Sequence, residues 1–576
     1  MPTPTPALRG VPLRTAPATT GPNATVVRRY SVDDDVAHTP VNASIRSPSV
    51  LLFILLALLG ALAYTVFLLN PANRGDLLPF SLVIVAEVVL ISHALVALWT
   101  ILSGGQDPRG FAFHQAQNDL FEQDADADPR ATQSPELTPM QLGGAPATVD
   151  VFITVYGEPL EVIERTARAA LALHGEHQTW ILDDGRSDDV RDLAAEIGAR
   201  YVRRLSSNGA KAGNVNHALS LTSGEFFAIF DADFVPAPEF LVETVPFFVD
   251  EKVAFVQTPQ AYGNHTTLIA RGAAFMQSLF YRFVQPGRNS FNAAFCVGTN
   301  VIFRRTAIEN VGGMYTDSQS EDVWTSLMLH EKGWTSIYIP IILAIGDAPE
   351  TIEDYTKQQM RWATGGFEIL LTRNPLNPSR RLTPDQRIQY LVTATHYFIG
   401  IVPLLLLLVP PLEIYFDLRP VNLSVSGGEW LLFYFGFYGL QILLAFATMG
   451  SFRWETLMLA AVSFPIYLRA LTNVLTGRRQ RWHVTGGARR RSSPFNVMVT
   501  QTLFFVFLLL TSFIALYKDA GNGALTLATA WNVTNTLIIG AFIVTAVVEA
   551  RRIRRDRRAG QHAVAVPLRL TKAAVS

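Results

Sequence analysis

Apolar stretches alternate with polar ones along this chain, and several of the apolar stretches are long enough to cross a bilayer. A transmembrane helix needs roughly 20 predominantly apolar residues. Six stretches meet this requirement: residues 50–69, 78–102, 390–415, 430–449, 495–517 and 531–548. The pattern therefore predicts two membrane helices near the start of the chain and four after a long polar middle.

A seventh apolar stretch, residues 455–475, is interrupted by Pro465 and Arg469. We interpret it as an amphipathic helix lying in the membrane interface. Arginine-rich segments occur at residues 28–46, 478–491 and 551–558. With six spans and cytosolic termini, all three segments lie on the cytosolic side, as the positive-inside rule requires. A seventh span would place the last of them outside, so we predict six.

The predicted spans divide the chain into segments. Residues 1–47 are rich in Pro, Thr and Ala and predict a disordered cytosolic N-terminus. The remaining segments are two spans in 48–103, a linker in 104–147, a cytosolic α/β domain in 148–389, two spans in 390–450, the interfacial helix with a following loop in 451–494, two spans in 495–549, and a basic cytosolic tail in 550–576.

Short apolar runs alternate with helical patterns in the polar middle of the chain. The runs at residues 149–156, 179–182, 201–203 and 226–231 predict strands, and the segments between them predict helices. Alternation of this kind is typical of a parallel sheet with helices on both faces. We therefore expect one α/β domain of the nucleotide-binding type, joined to the membrane part by a linker with a short helix near residues 111–121.

Two carboxylates, Asp231 and Asp233, end the most apolar of the predicted strands. Residues two apart in an extended segment point the same way, so both carboxylates can face one target. Mg²⁺ is usually held by one or two carboxylates together with substrate phosphates. The Asp-x-Asp spacing alone does not establish a metal site, because Asp124, Asp126 and Asp128 show the same spacing in a polar stretch with no strand before it.

Further polar residues are expected at the same edge of the sheet. Asp183 and Asp184 end the second predicted strand, and Glu321 and Asp322 open a helix downstream. Carboxylates at a helix start are often only caps, so a structural role stays open for the second pair.

A helix predicted just ahead of the third span carries three more candidates. Gln358 and Arg361 lie one helical turn apart on one face, with Trp362 beside them. The alternative is an ordinary surface helix with a tryptophan at the membrane interface.

Composition supports a membrane protein and narrows its partners. Hydrophobic residues make up 49% of the chain and charged residues only 16%, which is unusual for a soluble protein. The formal net charge of −1 does not indicate a nucleic-acid partner, and we interpret the basic tail as an anchor near anionic lipid. Cys296 is the single cysteine, which excludes an intrachain disulfide and suits a reducing compartment.

Six motifs of this chain resemble, in order and spacing, those of the processive family 2 glycosyltransferases, and most of all those of bacterial cellulose synthase catalytic subunits and cellulose-synthase-like proteins. The motifs are Tyr156/Glu158, DDG at 183–185, KAGNVN at 211–216, DAD at 231–233, SED at 320–322 and QQMRW at 358–362. The resemblance implies an α/β GT-A (Rossmann-like) domain inserted in a helical membrane domain, an inverting reaction from a nucleotide-sugar, and a membrane channel for the growing glycan.

The resemblance also implies a role for each site residue. Those expected to bind the nucleotide are Tyr156, Glu158, Asp183 and Asp184, with Lys211 near its phosphates. Asp231 would contact the nucleotide-sugar, and Asp233 would ligate Mg²⁺, with Asp231 beside it and Mn²⁺ as a substitute ion. Asp322 would be the general base that takes the proton of the acceptor hydroxyl. Gln358 and Arg361 would hold the diphosphate and the acceptor, and Trp362 would stack on the acceptor sugar.

Three features depart from the family pattern. The family's Thr-Glu-Asp is Ser320-Glu321-Asp322 here, and its Phe-Phe-Cys-Gly segment is FCVG at 295–298, which leaves the sugar and the linkage open. The gating-loop pattern Phe-x-Val-Thr-x-Lys is WHVTGG at 482–487, without the lysine. The short stretch after the last span leads us to expect no cyclic-di-GMP-binding PilZ domain in this chain.

We therefore expect a processive synthase in the plasma (inner) membrane that makes a β-glucan from UDP-glucose and extrudes it, with a possible export partner in the envelope. Two enzyme alternatives stay open: single-sugar transfer to a lipid or short acceptor, and a chitin-, hyaluronan- or mannan-type synthase using another nucleotide-sugar. A non-enzymatic scaffold is disfavoured, because a scaffold has no physical need for Asp231, Asp233 and Asp322.

Overall fold

The computed structural model describes residues 48–121, 134–478 and 492–564, the last nine of them by backbone alone. Four sequence-based predictions lie outside the described residues: those for the segment 1–47, for the acidic stretch 124–128, for the loop at 482–487 and for the end of the basic tail.

The described residues form sixteen helices of eight residues or more. They are α1 (Pro48–Leu69), α2 (Leu77–Ser103), α3 (Phe111–Asn118), α4 (Leu160–Leu171), α5 (Asp188–Ile197), α6 (Ala210–Leu219), α7 (Leu268–Leu279), α8 (Glu321–Glu331), α9 (Ile352–Thr372), α10 (Pro384–Thr395), α11 (Pro403–Phe416), α12 (Gly427–Met449), α13 (Trp454–Val462), α14 (Phe464–Leu475), α15 (Val499–Asn522) and α16 (Leu527–Val564). Shorter helices occur at Phe240–Thr244, Gln285–Asn289 and Arg305–Asn310.

Seven strands form the central sheet. They are β1 (Val149–Val155), β2 (Gln178–Asp183), β3 (Arg200–Arg203), β4 (Phe226–Asp231), β5 (Val253–Gln257), β6 (Val301–Arg304) and β7 (Thr335–Tyr338), in the spatial order β7-β5-β6-β4-β1-β2-β3. The four strands predicted from the sequence are β1 to β4, and they pair in parallel as predicted.

The sequence predicted a parallel sheet, but the sheet is mixed, because β6, a strand that the sequence analysis did not identify, is antiparallel to both of its neighbours, β4 and β5. After β5 the chain leaves the sheet at the carboxyl edge, and α7 and the short helix Gln285–Asn289 pack against the membrane-side helices α13 and α2. The chain then returns to the sheet from the same edge, so β6 runs in the opposite direction. The helices of this segment do not carry the chain back across the sheet to its opposite edge, as a parallel strand would require.

Both faces of the central sheet are buried, which explains the uninterrupted apolar runs. Alternate residues of β4 belong to different cores: Phe226, Ala228 and Phe230 pack on one face, and Phe227 and Ile229 on the other. This period of two is the ordinary consequence of strand geometry. The sheet is thereby fixed in register, and the polar residues that follow β4 are held at its carboxyl edge.

A small three-stranded sheet lies beside that edge. Its middle strand, Ala344–Gly346, pairs antiparallel with Val235–Pro236 and parallel with Ala261–Tyr262. The segment Val235–Pro236 begins two residues after Asp233, so this sheet forms one wall beside the predicted metal ligands.

Six helices of the described residues are long and apolar enough to span a membrane, and each coincides with a predicted span. The third begins earlier than predicted, because α10, a 3-10 turn at His396–Gly400 and α11 together form the candidate span Pro384–Phe416.

Residues 455–475 form two helices, α13 and α14, bent by 41°, rather than the single interfacial helix predicted. Pro465 lies in the first turn of α14, where its missing N–H costs no hydrogen bond but ends the preceding helix. If the bent pair were counted as a span, the number would rise to seven. α14 packs along α9, the helix that carries Gln358, Arg361 and Trp362.

Candidate active site

A cavity of about 490 Å³ lies at the carboxyl edge of the central sheet. Ten of the eleven predicted site residues line it: Tyr156, Glu158, Asp184, Lys211, Asp231, Asp233, Asp322, Gln358, Arg361 and Trp362. They come from the ends of β1, β2 and β4 and from helices α6, α8 and α9, over a sequence separation of about two hundred residues. The fold therefore brings the six motifs into one place.

The eleventh predicted residue, Asp183, does not line the cavity and is fully buried. Its carboxylate accepts hydrogen bonds from the backbone N–H groups of Arg186 and Ser187, at 2.9 and 2.7 Å, and from the Tyr201 hydroxyl at 2.8 Å. These bonds fix the turn that presents Asp184. The predicted nucleotide-binding role of Asp183 stays a prediction, and its contacts give it a role in shaping that turn.

Arg204 belongs to the site, although the sequence analysis did not single it out. Its guanidinium binds both carboxylate oxygens of Asp184, with Nη2 at 2.6 Å from Oδ2, and donates to the carbonyls of Asn208 and Ala210 at 2.6 and 2.7 Å. It is 8% exposed, so this charge is paired inside the protein. Arg204 thus ties Asp184 to the loop that leads to Lys211. Its position just after β3, at the same sheet edge, was the available signal.

Asp231 is held from two sides. The Lys211 ammonium and the Thr154 hydroxyl, at 3.0 Å, both donate to its Oδ1 atom. Its backbone N–H donates to the Thr299 hydroxyl at 2.9 Å. One carboxylate oxygen is therefore paired with a cation, while the residue remains partly exposed to the cavity.

Asp233 lies in a concentration of negative charge. Burial raises the pKa of Asp233 to about 8, and the carboxylates of Asp231, Asp347 and Glu158 add to that rise. Burial and neighbouring negative charges disfavour the ionised form of this carboxyl group, and a cation bound beside it would stabilise that form. In the described residues no group of three or more His, Cys, Asp or Glu side chains could hold a metal ion. The residues fit an ion bound by one or two carboxylates with its other ligands from phosphate and water.

Asp322 lies in the first turn of α8, facing the turn at residues 295–300. Its Oδ1 atom accepts the backbone N–H of Val323 at 2.8 Å. A Cβ atom placed on Gly298 would lie 3.3 Å from Asp322 Oδ2 and 3.6 Å from Lys211 Nζ. Burial raises the pKa of Asp322, while the charges of Arg361 and Lys211 oppose that rise. Asp322 Oδ2 and Lys211 Nζ therefore both border the space that a side chain at position 298 would occupy.

The turn at residues 295–300 is itself fixed by hydrogen bonds. The N–H of Cys296 donates to the Ser326 hydroxyl at 2.8 Å, and the N–H of Val297 donates to Gln257 Oε1 at 2.9 Å. Gly298 has φ +86°, a left-handed conformation that favours glycine. The segment that departs from the family pattern is thus a rigid part of the cavity wall.

Helix α9 approaches the turn before Asp322 at backbone distance. A Cβ atom on Gly365 would lie 2.1 Å from Ser320 Oγ and 2.2 Å from Ser320 Cβ, closer than real atoms come. On another side of the helix, the Tyr467 hydroxyl of α14 donates to Gln359 Oε1 at 2.8 Å. Gln358, Arg361 and Trp362 are therefore held in a fixed position relative to Asp322.

The small sheet adds lining residues that the sequence analysis missed. Tyr262, Asn264 and Asp347 line the cavity next to Asp233. Asn264 bonds to the backbone of Ala348 through both its amide atoms, at 2.9 and 2.6 Å, and so fixes the segment that carries Asp347. Strands of two or three residues leave no detectable pattern in the sequence, which explains why this wall was not predicted.

Comparison with known proteins adds three findings. A family model described as "Glycosyl transferase family group 2" matches residues 226–544, more than half of the chain. Among curated proteins, the cellulose synthase catalytic subunit [UDP-forming] of Xanthomonas axonopodis pv. citri (strain 306) is 38% identical over 263 residues, and that of Pseudomonas fluorescens (strain SBW25) is 37% identical over 287 residues.

These alignments cover 44% and 48% of this chain but only 36% and 39% of the two relatives, so the chain matches well under half of their length. Among solved structures, the mannosyltransferase PcManGT from Pyrobaculum calidifontis, in complex with GDP-Man and Mn²⁺, is 16% identical with a TM-score of 0.43. It covers 69% of this chain, and all of that protein is matched.

Proposed function

We propose that this chain, which belongs to glycosyl transferase family group 2, is a processive membrane synthase that polymerises a β-linked glycan. It is a glycosyltransferase with an α/β domain of the GT-A class between helices long enough to span a membrane. The donor in this proposal is UDP-glucose and the product a cellulose-like β-glucan. The names of the curated relatives, UDP-forming cellulose synthase subunits, support this choice of donor and product.

The observation that carries the proposal is the position of Asp322 in the same cavity as Asp231, Asp233 and Lys211. The acceptor hydroxyl attacks the anomeric carbon of the donor while Asp322 takes the hydroxyl proton. The bond to the diphosphate breaks in the same step, so the anomeric centre inverts and no covalent nucleophile is needed. Lys211 and Arg361 stabilise the negative charge that develops on the leaving diphosphate.

The carboxylates of Asp233 and Asp231 would hold a divalent ion, Mg²⁺ or Mn²⁺, against the diphosphate. Such an ion supplies Lewis-acid stabilisation of the leaving group. Tyr156, Glu158 and Asp184, the last oriented by Arg204, bind the nucleotide. Trp362 stacks on the acceptor sugar at the rim of the cavity.

The position of α9 favours processive over single-sugar transfer. The residues that would bind the acceptor, Gln358, Arg361 and Trp362, lie on α9, and α9 leads through a short loop into the candidate span Pro384–Phe416. An acceptor held by α9 is thus delivered towards the membrane. We propose the plasma (inner) membrane as the location, with the α/β domain in the cytosol and export of the glycan to the far side, where a partner protein would receive it.

The test is product formation by the full chain in liposomes with Mg²⁺. Labelled UDP-glucose, UDP-N-acetylglucosamine and GDP-mannose are supplied separately, and the Asp322→Asn variant is compared with Asp317→Asn. Asp317 lies five residues away, is exposed and does not line the cavity. We expect a long polymer from UDP-glucose, digestible by one linkage-specific glucanase, that is made by Asp317→Asn and lost in Asp322→Asn.

Different results would change the proposal in different ways. A single sugar on lipid would contradict processivity. A polymer from another donor would replace UDP-glucose, and turnover retained by Asp322→Asn would remove the assigned base. No turnover of any nucleotide-sugar would contradict the proposed function as a whole.

A further inference from the structure

Asp347 lines the cavity, although no sequence motif of the site contains it. It follows the strand Ala344–Gly346 of the small sheet and precedes the segment that Asn264 holds in place. Its side chain is 37% exposed, so a ligand in the cavity can reach it.

The register of the small sheet places Asp347 across from Asp233. Ala344 pairs with Pro236 and Ile345 with Val235 in an antiparallel ladder. Continued by two residues, the same register sets Asp347 opposite Asp233. Gly346 supports this placement, because a Cβ atom there would lie 2.7 Å from three ring atoms of Phe234, so the Gly346 backbone packs directly on the Phe234 ring. The electrostatic influence of Asp347 on Asp233 agrees with this proximity.

Asp347 also has a cationic neighbour on α4. Arg165 of α4 lies with its Nη2 atom 3.8 Å from Asp347 Oδ2. Burial raises the pKa of Asp347, and the charge of Arg165 opposes that rise. The adjacent Thr166 hydroxyl donates to the Ala232 carbonyl at 2.7 Å, which fixes α4 against the loop that carries Asp231 and Asp233. The position of Asp347 is therefore determined from two sides.

The charge around the donor is unevenly distributed. Among the described residues that line the cavity, nine are acidic and only two, Lys211 and Arg361, are basic. Lys211 is bound to Asp231, and Arg204 outside the lining is bound to Asp184. A divalent ion and the two negative charges of a donor diphosphate roughly neutralise each other. The transferred sugar is attached directly to that diphosphate, beside Asp233. It therefore lies in the negative electrostatic potential of the surrounding carboxylates, to which Asp347 contributes.

We infer that Asp347 is a specificity-determining residue of the donor site, which accepts hydrogen bonds from hydroxyl groups of the transferred sugar and disfavours donors whose sugar carries a carboxylate. A carboxylate oxygen is a strong acceptor for a sugar hydroxyl, whereas a uronate carboxylate at carbon 6 is repelled by like charge in a partly desolvated cavity. The inference rests on the proposed function, since it takes the cavity to bind a nucleotide-sugar.

Two pairs of donors that differ only at carbon 6 provide the test. Binding of UDP, UDP-glucose and UDP-glucuronate to the full chain in nanodiscs with Mg²⁺ is measured by calorimetry, and likewise GDP, GDP-mannose and GDP-mannuronate. The readout is the ratio of dissociation constants within each pair, for the wild type, Asp347→Asn and the control Glu164→Gln. Glu164 lies on α4 and is paired with Arg168 outside the cavity, and its substitution by Gln removes one negative charge, as Asp347→Asn does.

For the nucleotide that binds, we expect the uronate donor to bind about tenfold more weakly than its neutral partner in the wild type and in Glu164→Gln. In Asp347→Asn the ratio should fall towards one. Equal binding of the two donors by the wild type would overturn the inference, as would a ratio that Asp347→Asn leaves unchanged. If neither UDP nor GDP bound, the proposed function itself would fail, and the inference with it.

Discussion

Glycine shapes the active site at the point where the proposed base, Asp322, lies close to Lys211. At Gly298 a left-handed backbone, with φ +86°, brings the main chain against Asp322 Oδ2 and Lys211 Nζ. Any side chain there would occupy the space between the two charged groups. The absence of a Cβ atom is therefore part of the chemistry at this position.

The first prediction concerns Gly298→Ala. We expect kcat to fall by about 100-fold, since the added methyl group displaces Asp322 or the acceptor hydroxyl by a fraction of an ångström, and the backbone conformation costs about 1 kcal/mol of stability. Gly333→Ala is the matched control, because Gly333 has the same φ of +86° with no atom within 4 Å of its Cβ position. Equal activity loss in both variants would show that the backbone conformation, and not the contact with Asp322, causes the effect.

The second prediction concerns the pH dependence of turnover. Burial raises the pKa of Asp322, and Arg361 opposes that rise. A base with a raised pKa becomes protonated at a higher pH, so the acidic limb of kcat/KM should lie above the range of an ordinary aspartate, which is about 4. In Arg361→Gln the opposing charge is lost, so the limb should move to still higher pH. Arg168→Gln, on the exposed face of α4, should leave it in place.

At the scale of secondary structure elements, α9 connects the turn before α8 with the membrane-side helix α14. It holds three predicted site residues, packs along α14 on one side and touches the turn before α8 on the other. The contact is between Gly365 and Ser320, which stands where the family has threonine. Ser320 makes no side-chain cap for α8, and its hydroxyl instead donates to the Arg361 carbonyl of α9 at 3.5 Å.

The third prediction concerns Gly365→Ala. The new methyl group would overlap Ser320 and push α9 away from Asp322, so we expect kcat to fall by at least about tenfold with little change in the affinity for the nucleotide. Gly366→Ala is the control, since its Cβ atom would lie 3.3 Å from Thr393 O and from the Tyr397 ring, so it requires only a small shift and does not press on Ser320. Adding Ser320→Gly to Gly365→Ala removes the overlap and should restore turnover. If the double variant remained as slow as Gly365→Ala, the contact would not be the cause.

The architecture of the whole molecule depends on how many helices cross the membrane. The described residues contain six candidate spans, and the bent pair α13–α14 could raise the number to seven. The pair packs against helices of the α/β domain: Glu455 of α13, 3% exposed, accepts a hydrogen bond from Arg271 Nε of α7 at 3.1 Å. A carboxylate bound to the α/β domain is expected at the membrane surface and not in a span.

The fourth prediction is therefore six spans, tested by labelling with a membrane-impermeant maleimide on intact cells. The only native cysteine, Cys296, is buried, so single cysteines can be introduced at Ser379, Ser424 and Asn522, all exposed. We expect Ser424→Cys and Asn522→Cys to be labelled and Ser379→Cys to react only after lysis. Labelling of Ser424→Cys without Asn522→Cys would show that the bent pair crosses the membrane.

Features set by short stretches of sequence were predicted correctly. The lengths of the apolar stretches gave the six candidate spans, and the apolar runs gave strands β1 to β4. Ten of the residues that local motifs singled out line one cavity, and the roles assigned to them stay predictions. These features are encoded within about 25 residues each, because helix and strand periodicity and turn chemistry act over that range.

Features that depend on contacts between distant segments were decided only by the tertiary structure. The reversed direction of β6, the bend between α13 and α14, the burial of Asp183 beneath the cavity and the ion pair of Arg204 with Asp184 all belong to this group. So does the position of Asp347 opposite Asp233. The reason is physical. The local sequence sets the secondary-structure preference of a segment, whereas the residues that contact it are determined by the packing of elements far apart in the chain.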